Sequence, residues 1–203
     1  MCCNILYVHG LGGDPSEAER FQALFPGRTV VGMDYRSVNP WEAAEELPRL
    51  FTALVDDRLP VVLIANSIGA YFAMLTLPQQ QIARAYFISP LVDMERMILD
   101  RLAQIGATEE RLRAAGTIAF GAEDELSWAY LQYVRAHPIH WNVPTKILRG
   151  GCDALIPIDT VQSFARSASA EVTVLPGAGH WIHTPEEVTA LVQWIRDCEA
   201  SIP

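Results

Sequence analysis

The sequence has little positive charge and no long hydrophobic run. Its 203 residues include 15 Lys and Arg against 24 Asp and Glu, which gives a formal net charge of −9. Nucleic-acid binding depends on clustered Lys and Arg that release counterions, and because no such cluster is present we expect no nucleic-acid partner. The apolar runs, of which residues 61–65 are typical, are far shorter than the ~18 residues of a transmembrane helix, so we expect no membrane partner.

Cysteine is scarce and poorly placed for a structural role. The four cysteines lack C-x-x-C spacing and are too few for a disulfide-built secreted scaffold: Cys2, Cys3, Cys152 and Cys198. Adjacent cysteines can bind a metal, but no nearby His or Cys completes a ligand set, and we expect neither a metal nor another cofactor. The first residues contain no basic segment and no small-residue cleavage site, which indicates no secretory signal. We therefore expect a cytoplasmic protein with reduced thiols, whose oligomeric state the sequence does not determine.

The composition is that of a folded chain with an apolar core. Hydrophobic residues make up 50% of the sequence and charged residues 19%, which excludes an intrinsically disordered protein. Since domains contain roughly 100–200 residues and no linker, repeat or low-complexity tract interrupts this chain, we expect a single domain over residues 1–203.

Short β-branched runs alternate with longer helical patterns, which is typical of an α/β fold with a mostly parallel sheet and helices on both faces. Most of the runs are apolar throughout, as expected for strands buried on two faces. The predicted strands are residues 4–8, 29–33, 61–65, 83–88, 145–148 and 171–175. Helices are predicted over residues 41–55 and 67–77, and a last helix begins with Thr184 as N-cap, Pro185 at the first position and Glu187 completing a capping box.

Residues 94–140 depart from this alternation because they contain no predicted strand. Apolar residues at helical spacing predict one helix over residues 94–105 and a second near residues 125–136, ended by His137-Pro138. The segment is either a small helical cap inserted into the α/β domain or a pair of helices that pack on the main core. The sequence does not decide between these alternatives.

A serine in a sharp strand-to-helix turn is the first candidate for chemistry. The apolar run at residues 61–65 leads directly into Asn66-Ser67-Ile68-Gly69. A nucleophile in such a turn requires small residues two positions before and after it, and Ala65 and Gly69 meet this requirement. The helix that follows would favour negative charge at its N-terminus. Small-x-Ser-x-Gly is common by chance, so an ordinary turn serine is the alternative.

The other candidate segments also follow predicted strands. The glycine-rich residues 9–13 lack the lysine of a phosphate-binding loop, and we interpret them as a loop whose Leu11 amide, with that of Ile68, stabilises an oxyanion. Asp153 and His180 follow the last two strands and could act with Ser67 as acid and base, with His183 as a rival base. Each is an ordinary loop residue if taken alone. Their chain order, Ser, Asp, His, is what a hydrolase of the α/β type requires.

These segments together resemble the α/β-hydrolase superfamily over nearly the whole chain. The matching motifs are H-G-L-G-G at 9–13, A-N-S-I-G at 65–69, G-G-C-D-A-L-I-P at 150–157 and G-A-G-H-W at 177–181, and the short chain is similar to compact bacterial esterases. The resemblance implies Ser67 as nucleophile, Asp153 as acid, His180 as base, and the amides of Leu11 and Ile68 as oxyanion hole. It also implies that His9 braces its loop and takes no part in catalysis.

The resemblance leads us to expect a serine hydrolase that cleaves a small carboxylic ester or thioester through an acyl-enzyme. A C–C bond hydrolase, perhydrolase or lyase with the same triad, or a non-catalytic small-molecule binding protein of this fold, stays open as an alternative. The residues expected around the substrate, unless they only pack in the core, are Trp181, Met94, Met97, Trp128 and Tyr130. Arg149 and Arg36 are the arginines that we expect could hold a substrate carboxylate.

Overall fold

Eight strands are present in the structure, a computed structural model that describes residues 4–121 and 124–202. In chain order they are β1 (Asn4–Val8), β2 (Val30–Gly32), β3 (Val61–Asn66), β4 (Ile82–Ile88), β5 (Thr117–Phe120), β6 (Asp124–Ser127), β7 (Thr145–Gly150) and β8 (Glu171–Leu175). Six of them form one sheet in the order β2-β1-β3-β4-β7-β8, in which every neighbouring pair is parallel. The predicted parallel sheet and all six of its predicted strands are confirmed. Cys2 and Cys3 lie outside the described residues.

Helices cover both faces of this sheet, as predicted. They are α1 (Pro40–Leu54), α2 (Ile68–Thr76), α3 (Met94–Gln104), α4 (Glu109–Ala115), α5 (Trp128–Ala136), α6 (Ile158–Ala168) and α7 (Pro185–Ala200), with 3₁₀ helices at Pro15–Leu24 and Gln79–Gln81. Because successive strand residues point to opposite faces, the sheet contributes to two cores. Leu6 and Leu63 belong to the core shared with α1 to α6, whereas Ile5 and Val62 pack with α7 and the 3₁₀ helix Pro15–Leu24.

The burial of the strands follows their position in the sheet. β3 lies between β1 and β4, and its residues 61–65 are buried on both faces. β8 is an edge strand, and most of its side chains are exposed, including Val174. The prediction of strands buried on both faces therefore holds for the centre of the sheet and fails at this edge, where β8 has a neighbouring strand on one side only.

The register of the sheet brings the candidate loops to one edge. Val8 of β1 pairs with Ala65 of β3, and Ala65 pairs with Phe87 of β4. The next residues along these strands, including the glycine-rich loop and Ser67, therefore leave the sheet side by side. Parallel strands all end at the same edge, so the loops after β7 and β8 open there as well.

Residues 94–140 contain more than the two predicted helices. α3 agrees with the first predicted helix, but α4 and the antiparallel pair β5–β6 were not predicted. The second helix does not begin near residue 125: residues 124–127 are strand β6, and α5 begins at Trp128, where the Ser127 hydroxyl accepts a hydrogen bond from the Tyr130 amide. Leu112, Leu126 and Leu131 are buried in the same core cluster as the sheet residues.

The last helix starts as predicted. The Thr184 hydroxyl accepts a hydrogen bond from the Glu187 amide at 3.2 Å, and the Glu187 carboxylate accepts one from the Thr184 amide at 3.0 Å. This reciprocal capping box fixes the start of α7 just after the loop that carries His180. Among the helices of the described ranges, none is both long and apolar enough to cross a membrane.

Candidate active site

Ser67 occupies a strained turn between β3 and α2. Its backbone has φ 51° and ψ −121°, a conformation that L residues rarely adopt, and its amide donates to the Ile88 carbonyl at 2.9 Å. Gly69 makes the turn possible, because an added Cβ would overlap the carbonyl oxygen of His9 and lie 2.8 Å from that of Val8. The predicted need for a small residue two positions after the serine thus has a direct steric cause.

Three residues that are distant in sequence form one hydrogen-bonded chain. Ser67 Oγ lies 2.9 Å from His180 Nε2, and His180 Nδ1 lies 2.9 Å from Asp153 Oδ2. Asp153 follows β7 and His180 follows β8, so the common edge of the sheet brings them to the serine. The geometry is suited to a hydroxyl that gives its proton to an imidazole while a carboxylate orients that imidazole.

The surroundings of Asp153 keep its carboxylate ionised and fixed. The side chain is 1% exposed, and its Oδ1 accepts hydrogen bonds from the Leu155 and Ile156 amides at 2.9 and 3.0 Å. Burial alone would raise the pKa of the Asp153 carboxyl, but the hydrogen bonds from His180 and from the Ile156 and Leu155 amides outweigh burial, and the pKa is lowered. The carboxylate is therefore charged where it meets the imidazole.

Neither Arg149 nor Arg36 lines the cavity that contains Ser67. Arg149 is buried, and its Nη2 donates to the carbonyl oxygens of Asp153 and Ile156 at 3.0 and 3.2 Å, which braces the loop that carries the carboxylate. Arg36 is exposed and forms an ion pair with Asp34 at 2.8 Å. Our expectation for these two arginines was wrong, because Arg149 donates its hydrogen bonds to the loop backbone and Arg36 lies on the surface.

The glycine-rich loop is braced by His9. The Nδ1 of His9 donates to the Gly10 carbonyl at 2.8 Å, and its ring stacks on Tyr35 at a centroid distance of 4.3 Å. The Tyr35 hydroxyl in turn donates to the His9 carbonyl at 2.8 Å. His9 therefore holds the loop in place, in agreement with the role that the family resemblance implies for it.

The two amides predicted to form an oxyanion hole both belong to residues beside Ser67. Ile68 is the first residue of α2, so its N–H has no acceptor within the helix. The glycine-rich loop lies against the serine turn, since a Cβ placed on Gly10 would be 3.2 Å from the Ser67 Cβ. Leu11, in this loop, and Ile68 line the same cavity as Ser67.

This cavity has a volume of about 560 Å³. Ser67, His180 and the glycine-rich loop form one wall, and residues of α3, β6 and α5 form another. Four of the residues predicted to surround a substrate line it: Met94, Met97, Tyr130 and Trp181. Most of the remaining wall away from Ser67 is apolar, which suits an uncharged hydrocarbon portion of a ligand.

Trp128 and His183 lie elsewhere. Trp128 is not among the residues that line this cavity, and its partly buried side chain packs against the core. Tyr130 lies two positions later on the same helix, and the directions of two such side chains differ by about 200° around the helix axis. Tyr130 therefore faces the cavity and Trp128 does not. His183 is exposed, stacks on Trp181 at 4.0 Å and donates from Nδ1 to the Trp181 carbonyl, so it does not act on Ser67. No cluster of three or more His, Cys, Asp or Glu suited to a metal occurs within the described ranges.

Sequence reasoning missed the charged residues of the cavity, which are Arg101, Glu17, Asp124 and Glu125. Met94, Met97 and Ile98 line the cavity at helical spacing, and Arg101 continues the same face of α3. The sequence contains a signal for Arg101, because residues three and four positions apart share a helix face and Arg101 is three positions after Ile98 and four after Met97. Asn66, next to the serine, lines the cavity as well.

A sequence model described as the alpha/beta hydrolase family matches residues 5–193. The chain belongs to this family. As an alpha/beta hydrolase, it carries Ser67 in the strand-to-helix turn and Asp153 and His180 in loops at the same edge of the sheet, where hydrolases of this fold place their triads. No curated protein sequence matches the chain.

Solved structures share the fold of this chain at low sequence identity. Est1E from Butyrivibrio proteoclasticus is 15% identical with a TM-score of 0.74, over 98% of this chain and 87% of that one. A thermophilic esterase from Thermogutta terrifontis is 18% identical with a TM-score of 0.62, over 98% and 90%. The thioesterase domain from the curacin biosynthetic pathway is 17% identical with a TM-score of 0.59, over 95% and 90%.

Proposed function

We propose that this alpha/beta hydrolase is a cytoplasmic serine hydrolase that cleaves a small carboxylic ester or thioester. The observation that carries the proposal is the hydrogen-bonded chain from Ser67 through His180 to the buried carboxylate of Asp153, with 2.9 Å at each step. The esterases and the thioesterase domain among the structures of the same fold support this reaction class.

The reaction proceeds through an acyl-enzyme. Ser67 Oγ attacks the carbonyl carbon while His180 Nε2 takes its proton, and the amides of Leu11 and Ile68 stabilise the negative oxygen of the tetrahedral intermediate. His180 then gives this proton to the leaving alkoxide or thiolate as the bond to it breaks. Water repeats the same steps on the acyl group and regenerates the serine. Asp153 stays ionised and stabilises the imidazolium that forms twice in each cycle.

The shape of the cavity supports an acyl group of short to medium length. A volume of about 560 Å³ lies within the usual range of small-molecule sites, and the side chains of Met94, Met97 and Ile98 provide an apolar wall. Trp181 is largely exposed and lines the cavity opening, where the leaving group would depart.

Hydrolysis of p-nitrophenyl esters of graded chain length tests the proposal. We expect turnover with a preference for short to medium chains, and a loss of kcat on the order of 10⁶-fold in Ser67→Ala. Ser89→Ala is the matched control, because Ser89 also has a positive φ at the end of a neighbouring strand but is fully buried and lies outside the hydrogen-bonded chain. Absence of turnover with every ester would overturn the proposal and favour C–C bond cleavage, perhydrolysis, a lyase reaction or simple binding on the same site.

A further inference from the structure

One face of α3 forms a continuous strip along the catalytic cavity. Met94, Met97, Ile98 and Arg101 follow one another at positions i, i+3, i+4 and i+7, and all four line the cavity. The strip is apolar for its first turns and ends in a guanidinium group. This guanidinium group is only partly exposed and could bind an anionic group of a ligand that lies along the strip.

The strip leads away from the nucleophile. The Leu91 amide donates to the Ser67 carbonyl at 3.1 Å, and α3 begins three residues later at Met94. With a rise of about 1.5 Å per residue, Arg101 lies about 10 Å further along the helix axis than Met94. An acyl chain that is bound to Ser67 and extends along this wall would therefore reach Arg101 only if it were of medium length.

Arg101 is held in place but is weakly paired. Its side chain is 23% exposed, and its guanidinium lies over the Phe120 ring at 5.0 Å from the centroid. The nearest carboxylate oxygen belongs to Asp124, at 3.9 Å on a side chain that is 59% exposed, and no closer acceptor occurs within the described part of the chain. By contrast, Arg84, with 23% exposure, makes two hydrogen bonds of 2.6 Å to the Glu199 carboxylate.

From this arrangement we infer that Arg101 selects acyl groups that carry a carboxylate at their far end, so that the favoured substrates are monoesters or monothioesters of linear dicarboxylic acids. The inference rests on the proposed function, because it requires an acyl chain on Ser67. The planar guanidinium can bind a carboxylate through two parallel hydrogen bonds, which the apolar part of the wall cannot do. A neutral chain of the same length would leave the guanidinium with the distant, solvated Asp124 as its partner.

The other charges of the molecule oppose the binding of an anionic acyl group. Glu17, Asp124 and Glu125 also line the cavity, and the chain has a net charge of −9. Glu17 is already engaged by the Tyr7 hydroxyl at 2.5 Å, and Asp124 and Glu125 are exposed to solvent. The long-range field of the protein therefore repels an anionic substrate, and a preference for one has to arise from a local contact.

The test compares esters that differ only in the end of the acyl chain. The purified full chain is assayed with p-nitrophenyl octanoate, the mono-p-nitrophenyl ester of suberic acid and p-nitrophenyl 8-aminooctanoate at the same ionic strength. In the wild type we expect the suberate ester to have the highest kcat/KM and the ammonium ester the lowest. Arg101→Gln should lower the ratio of suberate to octanoate kcat/KM about ten- to a hundredfold, mainly through KM, and Arg101→Lys should retain part of it.

Arg96→Gln is the matched control, since Arg96 lies on the same helix, carries the same charge and is paired with Asp159 at 2.9 Å outside the catalytic cavity. It should leave the ratio unchanged. Octanoate turnover in each variant reports that the site is folded and that the proposed function holds. The inference alone would be overturned if the ratio of suberate to octanoate kcat/KM were equal in wild type and Arg101→Gln, or if the ammonium ester were the best substrate. A wild type that is inactive on all three esters would overturn the proposed function as well.

Discussion

At the scale of single residues, the site depends on close backbone contacts as much as on the three reactive side chains. Ser67 adopts its strained conformation because Gly69 allows α2 to approach the ends of β1. The same approach places the glycine-rich loop against the serine turn. A change that leaves Ser67, Asp153 and His180 in place can therefore still disable the site.

Gly69→Ala tests this dependence. The added methyl would overlap the His9 carbonyl, so the loop that carries Leu11 has to move, and we expect a loss of about 1–3 kcal/mol in the free energy of unfolding together with a large loss of kcat. Gly179→Ala, beside His180, is the control: its Cβ would meet no atom within 4 Å, and we expect a change within about 0.5 kcal/mol. Urea unfolding and ester hydrolysis measure both effects, and equal behaviour of the two variants would show that the close approach is unimportant.

At single positions, the sequence predicts only those features that have a local cause. The small residues around Ser67 follow from the sterics of one turn, and the order of Ser67, Asp153 and His180 along the chain follows from a motif. Arg101 was missed, and Trp128 packs in the core instead of lining the cavity, because both roles depend on which face of a helix meets the cavity. That orientation is set by tertiary packing, which the spacing of apolar residues describes only in part.

At the scale of secondary-structure elements, long buried strands and capped helices were predictable and short irregular ones were not. The capping box of α7 involves residues three positions apart, so its signal is complete within the local sequence. The β5–β6 pair consists of two strands of four residues each, and residues 125–127 lead into α5 without a break, so the pattern there was interpreted as helix alone. Such short strands are stabilised by their pairing with each other, which the local sequence pattern does not indicate.

Thr184→Ala tests the contribution of the cap to stability. The Thr184 hydroxyl accepts the hydrogen bond of the Glu187 amide, and its loss should lower the free energy of unfolding by about 1 kcal/mol, measured by urea denaturation. Thr189→Ala makes the same substitution inside α7 at an exposed position, where alanine favours the helix, and should be neutral or slightly stabilising. A cap variant as stable as Thr189→Ala would mean that water replaces the lost acceptor without cost.

At the scale of the whole molecule, the order of the strands creates the site. β3 lies at the centre of the sheet with β1 on one side and β4 on the other, and β7 and β8 follow beyond β4. This order brings Ser67 and His180, which are 113 residues apart in the chain, together at one edge. The sequence indicated a parallel sheet but contained no direct signal for this order, because strand order depends on which buried strands find each other during folding.

The central claim is that Ser67 is a nucleophile activated by His180 and Asp153. Its most direct test is covalent labelling with a fluorophosphonate, followed by intact-protein mass measurement and peptide mapping. We expect one adduct, located on Ser67, that is absent in Ser67→Ala, retained in Ser89→Ala and formed much more slowly in His180→Ala, because the reagent reacts only with a serine whose proton is removed by a base. An unlabelled wild type, or equal labelling of the wild type and Ser67→Ala, would contradict the claim.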